Sequence, residues 1–193
     1  MADNPVYREE QQFTDQDLVT ETIKNKQAFT AIVHRYEAPL LRYIFRLGCK
    51  DSAAAQDLLQ EIFVKTFVHL NDYDHSLQFS SWIYRIAHNE IVSYFRKERI
   101  RPSVLTKSEN YFLFENIVDD AAFIEQKNQG YTASEISKAV GQLEPKYRDV
   151  IILKFFEEKS YEEISDIMQI PQGTVATLIN RAKKKIKIYL EKS

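Results

Sequence analysis

Hydroxyl and cationic side chains recur at helical spacing near the end of the chain, in the stretch 160–187. Thr174, Thr177, Arg181 and Lys184 share one face of a predicted helix whose opposite face is an apolar stripe. Such a face suits the major groove of DNA, where side chains contact phosphates and base edges. A lysine-rich C-terminal helix is equally typical of a solvated face that complements the helix dipole. The basic run alone therefore does not distinguish DNA binding from simple solvation.

A short helix and a tight turn are predicted to position that face. Ser160 and Glu163 have the spacing of a capping box. Pro171 ends the first helix and pushes Ile170 out of the helical region, and Gly173 lets the chain turn closely into the second helix. The hydroxyl residues that open the second helix and the basic residues at its C-terminal end complete this layout. Together they favour a helix-turn-helix whose second helix lies in the major groove.

The composition indicates a globular, mainly helical chain of one or two domains. The 193 residues include only 4 glycines and 5 prolines, with 44% hydrophobic and 28% charged residues, which is ordinary for a packed protein. The polar, acidic N-terminus is not a signal peptide and no apolar run reaches membrane-spanning length, so we expect a cytoplasmic protein with no membrane insertion of its own. The single Cys49 is predicted to be a buried small hydrophobe in a reducing compartment.

Charge is distributed unevenly along the chain. Residues 1–98 carry 11 Lys+Arg against 14 Asp+Glu, residues 99–130 carry 4 against 5, and residues 131–193 carry 11 against 9. The formal net charge of −2 is low for a protein that binds DNA without a partner, because contacts to phosphates require an excess of basic residues. We therefore expect weak intrinsic DNA affinity and a larger partner that supplies most of the grip.

The first 98 residues are predicted to form four helices. A capping pattern at Thr14 opens the first, Pro39 should kink the second or mark a joint, and Gly48 is expected to stop it. Ser80 or Ser81 is expected to cap the fourth. The predicted spans are a first helix from residue 14, a second over 27–47, a third over 51–71 and a fourth over 81–97.

The third helix carries a mixed polar patch beside its apolar face. Asp57, Gln60, Glu61 and Val64 form this patch, whereas the neighbouring face, which includes Phe67, is predicted to enter the core. Simple solvation explains such a patch as readily as a partner does.

The loop 71–79 and the helix that follows it have the residue types that bind unpaired bases. The loop is polar and carries aromatic residues, so we expect it to be exposed. Trp82, Arg85, Asn89 and Arg96 share one face of the next helix. Aromatic rings can stack on bases and amides can read base edges, although an amphipathic helix with a buried Trp has the same pattern.

Residues 100–131 break the helical pattern and are predicted to be a flexible linker, with an apolar cluster over 111–117 that docks elsewhere and a short helix over 120–128. A capping box at Thr132 opens the next helix, and Pro145 opens the one that packs beneath the helix-turn-helix. No strand is predicted. The fold class is therefore all-α, with a helical bundle over residues 1–99 and a helix-turn-helix domain over residues 132–193, joined by the linker.

Catalytic and metal-binding motifs are not apparent in the sequence. It contains no phosphate-binding loop, no thiolate cluster and no convergent pair of carboxylates. His34, His69, His75 and His88 lack metal-ligand spacing and are interpreted as surface or boundary residues. We therefore expect neither an enzyme nor a cofactor.

In their order and spacing, these motifs resemble those of a bacterial extracytoplasmic-function (ECF) sigma factor. The resemblance covers residues 15–98 and 132–190. It rests on three segments, which read D-L-L-Q-E-I-F-V-K-T-F, then F-S-S-W-I-Y-R-I-A-H-N, then E-P-K-Y-R-D-V-I-I-L-K-F-F-E-E-K-S-Y-E-E-I-S-D-I-M-Q-I-P-Q-G-T-V.

The resemblance implies that the front domain is similar to sigma region 2 and the back domain to region 4. It implies a subunit that directs RNA polymerase core to promoters, with contacts to the β′ clamp helices and the β flap, and an anti-sigma factor as a further partner. The linker would thread near the polymerase active-site and RNA-exit channel. The implied core-binding residues are Asp57, Gln60, Glu61 and Val64. The residues implied to melt and hold the promoter −10 element are Asn71, Tyr73, His75, Gln78, Phe79, Trp82, Arg85, Asn89 and Arg96. The residues implied to read the −35 duplex are Gly173, Thr174, Thr177, Asn180, Arg181, Lys183 and Lys184.

Two places depart from the family pattern. Ala176, Thr177 and Leu178 follow G-T-V where the family often has a basic or Ser residue and then an Arg, and Ser93 stands where an acid is common. A stand-alone helix-turn-helix regulator is the alternative function, and it predicts tight dimeric operator binding without polymerase. A helical adaptor without a DNA function is a third possibility, which predicts no effect when Arg181 and Lys184 are replaced by Ala.

Overall fold

Helices are the only regular elements in the computed structural model, which describes residues 13–97 and 132–191. The all-α prediction is confirmed. The predictions for the linker, the cluster over 111–117 and the helix over 120–128 lie outside the described residues. The α-helices are α1 Asp15–Lys24, α2 Phe29–Arg46, α3 Ser52–Val68, α4 Phe79–Lys97, α5 Ala133–Gly141, α6 Pro145–Phe155, α7 Tyr161–Met168 and α8 Gln172–Leu190, and short 3-10 helices span Lys26–Ala28 and Leu70–Asp72.

Side-chain caps begin four of the described α-helices. Thr14, Thr132 and Ser160 each accept a hydrogen bond from the backbone N–H three residues later, and the acidic side chain there accepts one from the cap's own N–H. Asp51 caps α3 by accepting from two backbone N–H groups, and Pro145 is the first residue of α6. Each capping side chain contributes about 1 kcal/mol to helix stability. The hydrogen bonds at Thr14, Thr132 and Ser160 confirm the predicted capping boxes.

Glycine and proline have different effects at α2. Gly48 has a φ of 111°, a left-handed conformation that favours glycine, and it follows the end of the helix as predicted. Pro39 lies inside α2, which continues to Arg46, so Pro39 does not mark a joint.

The expected cap of α4 is wrong. The helix begins at Phe79, so Ser80 and Ser81 lie inside its first turn. The physical reason is the burial of Phe79, whose ring packs 5.6 Å from the Tyr36 ring and 5.6 Å from the Trp82 ring. This packing places the helix start before both serines.

The turn between α7 and α8 uses a different residue from the one predicted. Gln169 adopts the left-handed conformation with a φ of 55°, and its side-chain amide donates to the Asp166 carbonyl at 2.6 Å. This local hydrogen bond offsets part of the cost of a left-handed non-glycine residue. Pro171 precedes α8, and Gly173 lies within the first turn of that helix. The prediction that Gly173 makes the turn is therefore wrong.

The helices form two bodies. The first helical body contains α1–α4, in which α2, α3 and α4 pack on one another, and the second contains α5–α8, in which α8 packs on α5, α6 and α7. Cys49 is buried as predicted. The two bodies contact each other mainly through α4 and α7. Side chains with no exposed surface include Ile32, Leu40, Tyr43, Ile44, Ile62, Ile83 and Ile91 in the first body, and Val150, Leu153, Ile164, Ile167, Val175 and Ile179 in the second.

Candidate nucleic-acid and protein interfaces

The polar face of α8 points away from the second body. Val175, Ile179, Ala182 and Ile186 form its buried stripe, and burial of each valine or isoleucine contributes about 1.5–3 kcal/mol to stability, so the stripe fixes the rotation of the helix. That rotation leaves the opposite side in solvent. Of the seven predicted −35 residues, Gly173, Thr174, Thr177, Asn180, Arg181 and Lys184 are exposed and Lys183 is half-buried.

The first turn of α8 has an open surface. A Cβ atom added at Gly173 would meet no atom of the described residues within 4 Å. The Thr177 hydroxyl donates to the Gly173 carbonyl at 2.8 Å, which leaves its oxygen free to accept. The Lys183 ammonium lies 5.3 Å from the centre of the Phe155 ring, so Lys183 is held against the helix below while Lys184 extends into solvent.

A second exposed surface lies on α3. Val64 is 61% exposed and Val68 is 63% exposed. Phe67 is 37% exposed, with its ring edge-on to Phe29 at 5.0 Å, so its prediction as a core residue is wrong; it lies in the last turn of α3. An apolar strip with a polar rim is typical of a protein-binding surface. We call this surface the α3 patch, and it comprises Asp57, Gln60, Glu61, Val64, Phe67 and Val68, all exposed.

The aromatic residues predicted to stack on bases are packed together instead. Tyr73, Phe79 and Trp82 are 4%, 2% and 6% exposed. Their rings lie 5.3–5.6 Å apart, and the Tyr73 hydroxyl donates to the Leu77 carbonyl. The expectation of exposed rings in the loop 71–79 is therefore wrong in this conformation, because rings at this spacing gain more from one another than from water. The cluster fixes the path of the loop.

The other predicted −10 residues do not belong to this cluster. Arg85 is half-buried, and the remaining side chains are in solvent. The His75 ring lies 5.0 Å from the Tyr73 ring, at the edge of the cluster. The exposed members of the predicted −10 set are Asn71, His75, Gln78, Asn89 and Arg96.

Two buried titratable groups were not foreseen in the sequence. His88 is 8% exposed, with Nδ1 3.0 Å from the Tyr43 hydroxyl, so its interpretation as a surface or boundary residue is wrong. Burial disfavours the charged ring and lowers the pKa of His88 to about 4. Asp149 is 7% exposed and its Oδ1 has no hydrogen-bond partner among the described residues. Burial raises the pKa of Asp149 to about 7, against the opposing effect of Arg148.

The described residues contain neither a metal-binding cluster nor a membrane-spanning helix. No group of three or more His, Cys, Asp or Glu side chains there could hold a metal ion. Within the same residues, no helix has the length and hydropathy needed to cross a bilayer.

An exposed helix-turn-helix face in one helical body and an apolar, acidic surface on another define a two-part DNA-binding protein. Residues 32–100 match the family described as Sigma-70 region 2, and residues 130–186 match Sigma-70, region 4.

Curated relatives agree over most of the chain. The ECF RNA polymerase sigma factor SigW of Bacillus subtilis is 31% identical over 170 residues, covering 86% of this chain and 90% of that protein. The ECF RNA polymerase sigma-E factor of Escherichia coli K12 is 31% identical over 183 residues, covering 91% of this chain and 94% of that protein.

Solved structures share the fold. CnrH in complex with the cytosolic domain of CnrY has a TM-score of 0.68 at 22% identity, covering 93% of this chain and 98% of that chain. RpoE in complex with the anti-sigma factor NepR from Bartonella quintana has a TM-score of 0.63 at 20% identity, covering 84% and 96%.

The chain belongs to the ECF sigma factors. As a member of that family it directs RNA polymerase to specific promoters, and the alternative of a stand-alone regulator is not favoured. Sigma factors as a family are not enzymes.

Proposed function

We propose that three surfaces of this chain divide the work of promoter selection. The α3 patch binds the polymerase core, the loop 71–79 with α4 engages the −10 element, and the polar face of α8 reads the −35 duplex. Under this proposal residues 1–99 and 132–193 act as separate domains joined by residues 100–131, and the chain itself carries out no catalytic step.

The observation that carries the proposal is the exposure of Val64, Phe67 and Val68 beside the carboxylates of Asp57 and Glu61. A monomer gains nothing from three apolar side chains in water, whereas a partner surface with its own apolar and basic groups would cover them. The β′ clamp helices are the partner that the family suggests for this surface. The β flap would contact the second helical body.

The −35 role is supported by α8. Its exposed hydroxyl, amide and cationic groups occupy the first four turns of a helix whose other side is buried, which is the geometry of a recognition helix. Arg181 suits a bidentate contact to guanine or phosphate, whereas Lys184 suits a point contact to phosphate.

The −10 role differs from the one the sequence suggests. Because Trp82, Tyr73 and Phe79 are packed on each other, they support the loop, and the exposed Asn71, His75 and Gln78 are left to contact an extruded base. Extrusion costs a few kcal/mol, which polymerase binding has to offset.

An anti-sigma factor is part of the proposal. RpoE of Bartonella quintana is known in complex with the anti-sigma factor NepR, and by analogy a protein that covers both helical bodies would hold this chain inactive. The chain would act in the cytoplasm, where the polymerase lies.

Run-off transcription with purified core polymerase tests the proposed function. The template carries the upstream motif shared by transcripts that increase when the protein is overproduced in its host. We expect a promoter-dependent transcript only with both proteins present. The absence of a transcript, together with no retention of core polymerase in a pull-down, would reject the function.

A further inference from the structure

The outer side of α4 carries one apolar side chain in a row of polar ones. Arg85, Asn89, Val92 and Arg96 follow each other at helical spacing, so they share one side of the helix, opposite the fully buried Ile83. Val92 is 44% exposed. Asn89 lies one turn before it and Arg96 one turn after it, and both are exposed, whereas Arg85 is half-buried. We call these four residues the α4 stripe.

The charge of the α4 stripe is purely positive. A single exposed valine on a protein surface needs no explanation by itself, so its surroundings have to carry the argument. Glu90 is the only acidic residue of α4, and it pairs with Lys65 of α3 at 2.6 Å with its side chain only 18% exposed. Ser93, which follows Val92, brings no charge. The stripe therefore offers two guanidinium groups and no carboxylate, which complements a phosphate backbone.

The size of the α4 stripe fits a few base pairs of duplex. Asn89 and Arg96 are separated by about 10 Å along the helix axis, which is about three base-pair steps at 3.4 Å each. Between the phosphates, the major groove exposes base edges, and its apolar group is the C5-methyl of thymine. Val92 is the one side chain of the stripe that matches that group.

A protein partner fits this surface less well than DNA does. The α3 patch groups three exposed apolar side chains with carboxylates, as expected of a protein-binding surface. The α4 stripe has one apolar side chain between an amide and a guanidinium, which is the mixture that reads base edges and phosphates. The charge and composition of the stripe therefore favour DNA as its occupant.

The distance from the loop 71–79 indicates which part of the DNA Val92 would meet. Val92 lies 13 positions after Phe79, the first residue of α4, which corresponds to about 20 Å along the helix. That length equals about six base-pair steps. Under the proposed function the extruded base lies at the loop, so the bases beside Val92 are still paired and present their major-groove edges.

We propose that Val92 contacts the C5-methyl group of one thymine in the paired part of the −10 region and thereby selects for that base. The inference rests on the proposed function, since it requires α4 to lie on the −10 region. Val92 is not among the predicted −10 residues, all of which are polar or aromatic. Burial of one methyl group against Val92 should favour thymine over a base that lacks it by about fourfold.

Replacement of thymine by uracil tests this contact, because uracil pairs in the same way and lacks only the methyl group. Promoter duplexes with single uracil substitutions, on either strand within about six base pairs of the extruded position, are titrated with the complex of this chain and core polymerase. Wild type should lose about fourfold in affinity at one position. Val92→Ala should lose a similar factor on the thymine promoter and should not respond to uracil at that position, because both changes remove the same contact.

Matched variants control for effects on folding and on other contacts. Ile23→Ala removes a comparable apolar side chain, 47% exposed on α1, and should keep the wild-type response to uracil. Asn89→Ala removes an amide and leaves Val92 in place, so it should weaken binding yet retain the uracil effect. Alanine is the better helix former, so Val92→Ala should be at least as stable as wild type in urea unfolding.

The outcomes separate this inference from the proposed function. Equal uracil responses of wild type and Val92→Ala at every position overturn the methyl contact, while the sigma function stands. Weaker retention of core polymerase by Val92→Ala in the absence of DNA places Val92 against protein and also overturns it. A −10 region with no A·T pair within reach of α4 has the same consequence. If wild type with core polymerase gives no promoter-dependent transcript, the proposed function fails, and the thymine contact fails with it.

Discussion

At the scale of single residues, a substitution at Gly173 can distinguish an effect on fold stability from an effect on DNA binding. It lies inside α8 with an ordinary helical conformation, and a Cβ there would meet no described atom within 4 Å. Gly173→Ala should therefore raise the free energy of unfolding by about 0.5–1 kcal/mol. If a phosphate or base approaches this turn, the same substitution should weaken promoter binding. Urea unfolding and promoter titration measure the two effects.

An increase in both stability and promoter binding for Gly173→Ala would show that DNA does not approach α8 at this turn. Ala176→Gly, on the half-buried side of the same helix, is a control that should lower stability without removing a DNA contact.

His88 and Asp149 predict opposite effects of pH on stability. The pKa of His88 falls from 6.5 to about 4, so its contribution is fully present above pH 6.5 and is lost as the pH falls through 4. The pKa of Asp149 rises from 3.8 to about 7, so its contribution is fully present below pH 3.8 and is lost as the pH rises through 7. Between about pH 4 and 6.5 the two slopes oppose each other.

Single substitutions should expose each slope. In Asp149→Asn the free energy of unfolding should rise between pH 5 and 6.5, and in His88→Gln it should fall, by at most about 1.4 kcal/mol per pH unit for each proton. Urea unfolding at a series of pH values measures both, with the double variant as the control. Parallel curves for wild type and Asp149→Asn would contradict the buried, poorly solvated state of that carboxylate.

At the scale of the element, α3 combines a buried side with an exposed apolar one. Val64→Asp places a charge in the α3 patch, where Val64 is 61% exposed, so the fold should be unaffected. Core polymerase binding should weaken at least about tenfold, since an unpaired charge would be buried at the interface. Gln56→Asp, exposed on the same helix outside the patch, is the matched control. Equal affinities for the two variants would remove α3 from the core-binding surface.

Element positions follow from local chemistry, which is why the sequence predicts them well. The capping boxes at Thr14, Thr132 and Ser160 connect residues only three positions apart, and the apolar stripe of α8 follows one helical period. Such signals are complete within a few residues. They specify the helix-turn-helix face without tertiary information.

Contacts between distant elements leave no such local signal. The sequence predicts that the aromatic residues Tyr73, Phe79 and Trp82 belong to an exposed binding surface, because their neighbours in the chain are polar. Their burial depends on tertiary packing, which leaves no local signal. Glu157 pairs with Arg46, which lies 111 positions earlier in the chain. The −10 site and the contact between the bodies therefore could not be derived from spacing.

At the scale of the whole molecule, charge and packing both limit binding to DNA by the free chain. The formal charge is −2, and the excess of acidic over basic residues is largest in residues 1–98, with 14 Asp+Glu against 11 Lys+Arg. The α8 face alone has few cations for counterion release, which supplies most non-specific affinity. The contact between Glu157, Arg46 and Tyr84 also joins the two helical bodies. We therefore expect promoter binding to require core polymerase.

A gel shift with and without core polymerase tests this dependence. The free chain should bind promoter duplex no more tightly than non-specific proteins, with a Kd of about 10⁻⁴–10⁻⁶ M at physiological salt, whereas addition of core polymerase should give a specific complex at nanomolar protein.

Within that complex, Lys184→Ala should reduce the slope of log affinity against log salt by about 0.9, the value for one phosphate contact. Arg181→Ala should instead cost about 1–3 kcal/mol and relax sequence preference if Arg181 reads a base. Lys50→Ala, exposed in the first body away from α8, should leave both quantities unchanged. Tight binding of the free chain as a dimer would instead place it among stand-alone regulators, because only such a protein carries enough affinity for duplex DNA on its own.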